Sequence, residues 1–448
     1  MRALEYFCVK TAPAMGMYFD HDFWSCLVVR ESVTEPAIRH AMAAFGIFAE
    51  QRESCDVEYD GKAQRTPAEG LAVMSAPTRI SGTEHPVALL SYNTAVGRLS
   101  KLASSPGTID TILLACILFV CIELLRGDAE AAFRHFNGGM AIITNYTSHP
   151  ERSRSSRLMF DRVRNNMLPF FNRLEMLYAL SGNDASWEYS VNLSESVPSS
   201  FASLEIARDS LVDVVNLSLR FVRTMDLCRY DSSAVPALGL DEQKTLLSQL
   251  LLWRRRLLAY QANNASALTF RDLYACNVLE IQRLVAYTWV SIATTPFETS
   301  YDAHLPAFTA AVSLAEQLPA LAGVHAQSAR YTNTFTMDVE IVGIVHWICI
   351  KCRHPTVRRR AMAVLSDMQR LEGMWDSRMA AAIAERVIEI EEACLGAGRL
   401  PSEEARVHYS FTNNWSGATS ANYSITHRTK PHGVYRDWVD RIEHFTIQ

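Results

Sequence analysis

The stretch that most constrains the fold runs from Thr108 to Thr147. Ile112, Leu113, Cys116, Ile117, Phe119, Val120 and Leu124 make a helix that is apolar almost all round, which must be covered on several sides. Gly127 supplies the residue type that ends helices in the left-handed conformation, and Asp128 can cap a new helix directly after it. The next segment places Phe133, Phe136, Met140 and Ile143 three, four and three residues apart, which is one face of that second helix. Two helices joined by so short a break form an antiparallel hairpin. Gly138 and Gly139 let a neighbour approach closely. A membrane span is excluded by length: the apolar run from Thr111 to Leu125 contains Glu123, is closed by Asp110 and Arg126, and falls short of the roughly 20 apolar residues a bilayer needs.

The same helical period recurs along most of the chain. Thr34-Glu35-Pro36 precede Ile38, Met42, Phe45 and Phe48, so a helix is expected with Thr34 as its cap and Pro36 in its first turn. Further helices are expected at 156–181, 200–229, 241–261, 268–294, 302–321, 331–352, 356–371 and 377–396. In the last of these, Met379, Ile383, Val387, Ile390 and Cys394 form one stripe. Residues 55–84 carry Gly61, Pro67, Gly70, Pro77 and Gly82 without periodicity and read as a flexible loop. The tail, 400–448, changes period. Val407, Tyr409 and Phe411 alternate with polar residues, as do Tyr423 and Ile425, which predicts a small β-hairpin. Tyr435, Trp438, Val439 and Ile442 suggest a short closing helix after it. The expected fold is all-α: one large multi-helix domain over 1–448, with helical hairpins and a small C-terminal β-hairpin.

Composition agrees with a packed body: 49% hydrophobic and 20% charged residues place the chain with ordinary globular proteins. A formal charge of −5 supplies no bulk attraction to nucleic acid, so DNA contact would need a local basic patch. The ten cysteines are scattered, most of them within apolar helical patterns, which suits a reducing compartment. The N-terminal residues hold no apolar run long enough for a secretory signal.

Motifs for chemistry are few. Cys349-x-x-Cys352 has metal-ligand spacing, but no second pair completes four ligands, and two buried thiols on a helix is the favoured reading over a zinc site. Lys351, Arg353, Arg358, Arg359 and Arg360 form the most basic run. It is read as a solvated helix start in preference to an import signal or a phosphate-contacting patch. Arg254-Arg255-Arg256 is read the same way, with Trp253, Leu257 and Leu258 beside it as core. No phosphate loop, dinucleotide fingerprint, nucleophile elbow, zinc-protease pair or aspartate-rich diphosphate motif is present. No catalytic, cofactor-binding or metal-ligating residue is assigned, and no cofactor is expected.

Several stretches together resemble the regulatory domain of fungal zinc-binuclear-cluster transcription factors. They are Ala3 to Phe7 with Thr11-Ala12-Pro13, Tyr18 to Trp24, Glu35 to Ala41, and Leu113 to Cys116 on through Phe119, Glu123 to Asp128, His135 and Gly138-Gly139. Lys351 to Pro355, Arg358 to Ala361 and Trp375-Asp376-Ser377 complete the pattern. The resemblance implies a nuclear, helical domain that tunes transcription, often of metabolic gene clusters. The matched Phe19, Trp24, Phe119 and Leu124 are expected to be structural, and Arg126, Asp128 and His135 to be caps or buried polar partners. The family's zinc cluster needs six closely spaced cysteines, and no window of this sequence holds them. The expectation is therefore a regulator that lacks its own zinc cluster and works through proteins of the transcription machinery or a DNA-binding factor. Direct DNA binding and membrane association are not expected. The competing expectation is a helical scaffold that partners a biosynthetic pathway.

Overall fold

The computed structural model describes residues 2–16, 18–60, 85–102, 108–148, 163–180, 196–231, 237–322, 334–338, 340–368, 370–393, 395, 400–412 and 422–446. The architecture is mostly all-α with a small C-terminal sheet, as the periodicities require. At its N-terminal end stand α1 (Arg2–Tyr6), α2 (Ala12–Met15), α3 (Val28–Thr34) and α4 (Pro36–Asp60). Ile38, Met42, Phe45 and Phe48 of α4 are all buried, as their spacing demands. Phe45 meets Phe7 edge-on at 5.6 Å and Trp24 at 6.2 Å. The cap of α4 differs from expectation. The Thr34 hydroxyl donates back to the Glu31 carbonyl because α3 still runs through it, and the Glu35 carboxylate accepts the Ala37 N–H at 3.3 Å instead.

The hairpin is α6 (Ile109–Arg126) and α7 (Ala129–Ser148). Gly127 has φ 74°, which a Cβ would strain. The Asp128 carboxylate accepts the Ala131 N–H at 2.9 Å, so both halves of the break do what their chemistry suggests. Gly139 admits the Phe171 ring: a Cβ there would lie 2.3 Å from it. Arg126 pairs with Glu123 at 2.7 Å, and His135 Nε2 meets the Tyr92 hydroxyl at 2.8 Å, so these matched polar residues have structural partners. Tyr92 belongs to α5 (Pro86–Leu102), a helix the sequence reading did not anticipate. The expected loop at 55–84 is helical at its start, since α4 continues to Asp60; positions 61–84 lie outside the described residues.

A second group comprises α8 (Leu168–Leu180), α9 (Leu204–Asp226), α10 (Ala237–Asn263), α11 (Phe270–Ile292), α12 (Leu305–Ala315) and α13 (Leu318–Leu321). Helix α9 sits between α8, α10 and α11. The expected helix at 302–321 is broken in three, a 3₁₀ segment Glu298–His304 leading into α12 and α13, each with a proline as its second residue, where a first turn tolerates it.

The third group is α14 (Val342–Lys351), α15 (Pro355–Asp367) and α16 (Ser377–Glu392). Here the helices expected at 331–352 and 356–371 prove too long. Their outer ends form strands β1 (Thr334–Thr336) and β2 (Arg370–Glu372), which pair in parallel, and β3 (Trp375–Asp376) adds to β2 antiparallel. Asp376 also caps α16 through the N–H groups of Arg378 and Met379.

The tail forms a three-stranded antiparallel sheet of β4 (Val407–Thr412), β5 (Asn422–Thr429) and β6 (Val439–Thr446), in that order. The hairpin is as expected, but the closing helix is not there. Tyr435, Trp438, Val439 and Ile442 also fit a helical stripe, yet β6 alternates across the sheet, with Asp440 opposite Arg428 and Ile442 opposite Thr426. Cross-strand pairing along a central strand outweighs a short amphipathic helix of marginal intrinsic stability. Across all three groups a contiguous apolar cluster extends from Phe7 to Val407.

Candidate functional site

The basic run is the largest departure from the sequence reading. It is not solvated: Lys351, Arg353 and Arg358 are buried, their side chains 7%, 0% and 0% exposed. Carboxylates remote in sequence neutralise them. Glu298 pairs with Lys351 and Arg353, each at 2.9 Å. Glu391 bridges Arg353 at 2.8 Å and Arg358, and accepts the Val407 N–H. The Lys351 ammonium also donates to the His408 carbonyl at 2.6 Å. Burial alone would raise the Glu298 carboxyl, but the Lys351 and Arg353 charges outweigh it and hold it at about 2. Burial lowers Lys351 to about 8 despite Glu298. Arg359 and Arg360, nearer the surface, pair with Glu392 and Glu316. Every cation of the run is thus ion-paired, and the run presents no open basic patch for phosphate.

Cys349 and Cys352 are buried free thiols, and burial pushes both up from their ordinary range, which disfavours the reactive thiolate. The nearby His346 Nδ1 meets the Ala380 carbonyl at 2.8 Å. Among the described residues no group of three or more His, Cys, Asp or Glu is arranged to hold a metal ion. Of the second basic run, Arg254 reaches Glu280 at 3.2 Å while Trp253 and Leu257 are core; Leu258, expected to be core, is half exposed because α10 turns it to solvent.

Sequence reasoning missed a second charged cluster, where the N-terminal segment meets α8, α9 and α11. Arg173 donates to Asp338 at 2.7 Å and to Asp20 at 2.9 Å, and Arg208 reaches the same Asp20 oxygen at 2.9 Å. Their guanidinium groups lie over the Phe170 and Phe19 rings, at 4.2 and 4.8 Å. Beside them Tyr18 stacks on Tyr274 at 4.0 Å, and the Tyr274 hydroxyl donates to Glu340, which also pairs with Arg370 at 2.8 Å. The neighbouring Glu372 carboxylate accepts the N–H groups of Glu340, Ile341 and Val342, closing the N-terminus of α14. A cavity of about 30 Å³ opens among Tyr18, Phe19, Met176, Arg173, Arg208 and Gln282. It has room for water and is too small to bury a drug-sized metabolite. The signal for this cluster was present: Arg173 stands at a position that the period of α8 assigns to its buried face, where an unpaired charge is prohibitive.

These features describe a helical body whose interior is fastened by ion pairs, with its titratable groups occupied by one another. The chain is related to fungal transcription regulators. It is 26% identical to the transcription regulator lscL of Purpureocillium lilacinum over 157 residues, 35% of this chain and 34% of that protein. It is 29% identical over 164 residues to the aspercryptin biosynthesis cluster-specific transcription regulator atnN of Emericella nidulans, 36% of this chain and 23% of that protein. The matched part therefore spans about a third and about a quarter of those two relatives. No protein-family profile matches the chain. No solved structure matches it significantly.

Proposed function

We propose that this chain regulates transcription of a fungal biosynthetic gene cluster from the nucleus, acting through protein contacts and without a zinc cluster or catalytic centre of its own. The observation that carries this reading is the similarity to two proteins named as transcription regulators, one of them specific to a biosynthetic cluster. The physical chemistry supports the indirect mode of action. The chain carries a net charge of −5, and its most basic run is spent on internal ion pairs, so little is left to displace counterions from a duplex.

The test is to delete the gene, sequence the transcripts, and follow a fluorescently tagged copy. A nuclear tag and lowered or raised transcripts of one contiguous gene cluster are expected, with no shift of promoter DNA by the purified chain. A cytoplasmic tag with unchanged transcripts would overturn the regulatory reading in favour of a scaffold. A sequence-specific shift by the purified chain would overturn the indirect mode.

A further inference from the structure

The two edges of the C-terminal sheet are treated differently. Strand β4 is covered at its start: Glu391 of α16 accepts the Val407 N–H, and Lys351 donates to the His408 carbonyl. Strand β6 is the other edge, and among the described residues no strand pairs with its outer side. It is eight residues long, contains no proline, and pairs with β5 without a bulge, whereas the β4–β5 ladder shifts register between Val407 and Tyr409. Natural edge strands are usually blunted by proline, bulges, cover or charged side chains, because a flat open edge recruits another strand. Of these β6 has only the charges, in Asp440, Arg441 and Glu443. Two apolar side chains remain at this edge, Val439 at 40% and Ile442 at 57% exposure. On the face that carries Ile442, Phe411 of β4 is 39% exposed, with the buried Thr426 of β5 between them.

The order of charges along β6 selects the occupant. When two copies of one strand pair antiparallel about a two-fold axis, the axis passes through a residue that faces itself. An axis at Asp440, Arg441 or Glu443 sets like charges directly opposite one another. An axis at Ile442 sets Ile442 against itself and Arg441 of each copy against Glu443 of the other. Arg441 and Glu443 lie on the same face of β6, being two residues apart. Arg441 is 56% exposed and already reaches the Glu443 carboxylate of its own strand at 2.7 Å, so its guanidinium lies where a facing carboxylate would share it. Opposite charges at directly paired positions stabilise an antiparallel ladder, and like charges destabilise it.

We propose that β6 is a pairing edge for a second copy of this chain, joined antiparallel about a two-fold axis at Ile442 with Arg441 and Glu443 in reciprocal cross-strand ion pairs. The sheet of each copy then continues into that of the other, and the Ile442 side chains meet at the axis. An interface built on one strand pair is at the small end for stable association, so dimerisation is expected at tens of micromolar, roughly.

Sedimentation equilibrium of the full chain tests this. The natural sequence is expected to dimerise, whereas R441E alone and E443R alone each place like charges opposite one another and are expected to sediment as monomers. An equimolar mixture of the two variants restores both ion pairs between unlike copies and is expected to dimerise again. Because E443R also removes the partner of Arg386, its fold is checked by circular dichroism. I442D, at an exposed position that faces itself only in this register, is the independent variant and is expected to be monomeric. A natural chain that stays monomeric to about 100 µM, above the expected dissociation constant, overturns the proposal. So does a dimer indifferent to R441E and I442D, or a mixture of folded variants that fails to pair.

Discussion

Helix α6 and the α14–α16 group are buried to similar depth by opposite means. From Leu113 to Leu125 every residue of α6 is buried, and Glu123 alone among them is charged. In the α14–α16 group the interior holds Lys351, Arg353, Arg358 and Glu391, all close to fully buried. Apolar packing is non-directional and roughly proportional to area, so α6 has many ways to be nearly satisfied. Buried ion pairs are conditional: desolvating each ion costs several kcal/mol, and only the complete set of partners offsets that cost. The first region is held by how much it buries, the second by whether every member is present.

The substitution that separates the two most sharply is Glu391→Gln. It removes the carboxylate shared by Arg353 and Arg358, whose side chains are both 0% exposed, and leaves these buried guanidinium groups with only Glu298 at 2.9 Å and Glu392 at 3.3 Å to offset their charge. A loss of about 3–5 kcal/mol is expected in urea unfolding. Leu118→Ala, at the centre of α6, deletes a fully buried side chain without stranding any charge, and about 2–5 kcal/mol is expected from the cavity it leaves. If Glu391→Gln cost less than about 1 kcal/mol, the level of an ordinary surface pair, the contrast between the regions would collapse.

Acid should act on both regions, with a smaller effect. Burial lowers His346 to about 4 and His408 to about 3, from an ordinary 6.5, so the folded chain releases protons that the unfolded chain keeps. Stability from these groups is present at neutral pH and is lost as pH falls from about 6.5 towards their folded values. Glu298, held at about 2 by Lys351 and Arg353 against an ordinary 4.5, adds a further loss below about 4.5. The apolar hairpin contributes His135 to the same trend, lowered by burial to about 4. The imidazoles therefore pull the melting temperature down between pH 7 and pH 4, against Glu372, whose carboxyl burial raises to about 7 and which gains stability as it takes up its proton. His408→Gln should flatten that slope, since an uncharged amide has no proton to gain. A slope that His408→Gln leaves unchanged would show that this imidazole titrates alike in the folded and unfolded chain.

This division also explains which parts of the fold were legible in the sequence. The α6–α7 hairpin could be read almost residue by residue, down to Gly127 and Asp128, because helix periodicity and capping are local. The burial of Lys351, Arg353 and Arg358 could not, because the carboxylates that make it possible stand 53 and 38 residues from their partners for the pairs Glu298–Lys351 and Glu391–Arg353. Five basic residues without a local acid look solvated until the topology brings the acids in. The closing helix failed for a related reason. The stripe from Tyr435 to Ile442 is compatible with a helix in isolation, and only the neighbouring β5 decides for a strand. The cluster around Asp20, Arg173 and Arg208 likewise assembles from segments 153 and 188 residues apart. What remained unread mostly depends on contacts between distant segments; α5, a local helix, is the exception.

The smallest expected effect tests where the ionic interior stops. Arg359 follows Arg358 directly, and both reach Glu392, yet Arg359 is 51% exposed where Arg358 is 0%. If burial and not mere ion pairing makes the network indispensable, then Arg359→Ala gives up a pair that water already screens. The Glu392 carboxylate keeps Arg358 at 3.3 Å and enough solvent contact to remain charged without penalty. A loss of about 0–1 kcal/mol in urea unfolding is expected, an order that matches exposed pairs elsewhere. Adjacent residues of the same chemistry would then differ several-fold in consequence, with the position of the guanidinium relative to solvent as the cause. A loss as large as that of Glu391→Gln would instead place Glu392 and Arg359 inside the cooperative network, and the boundary would have to be moved out to the surface of α15.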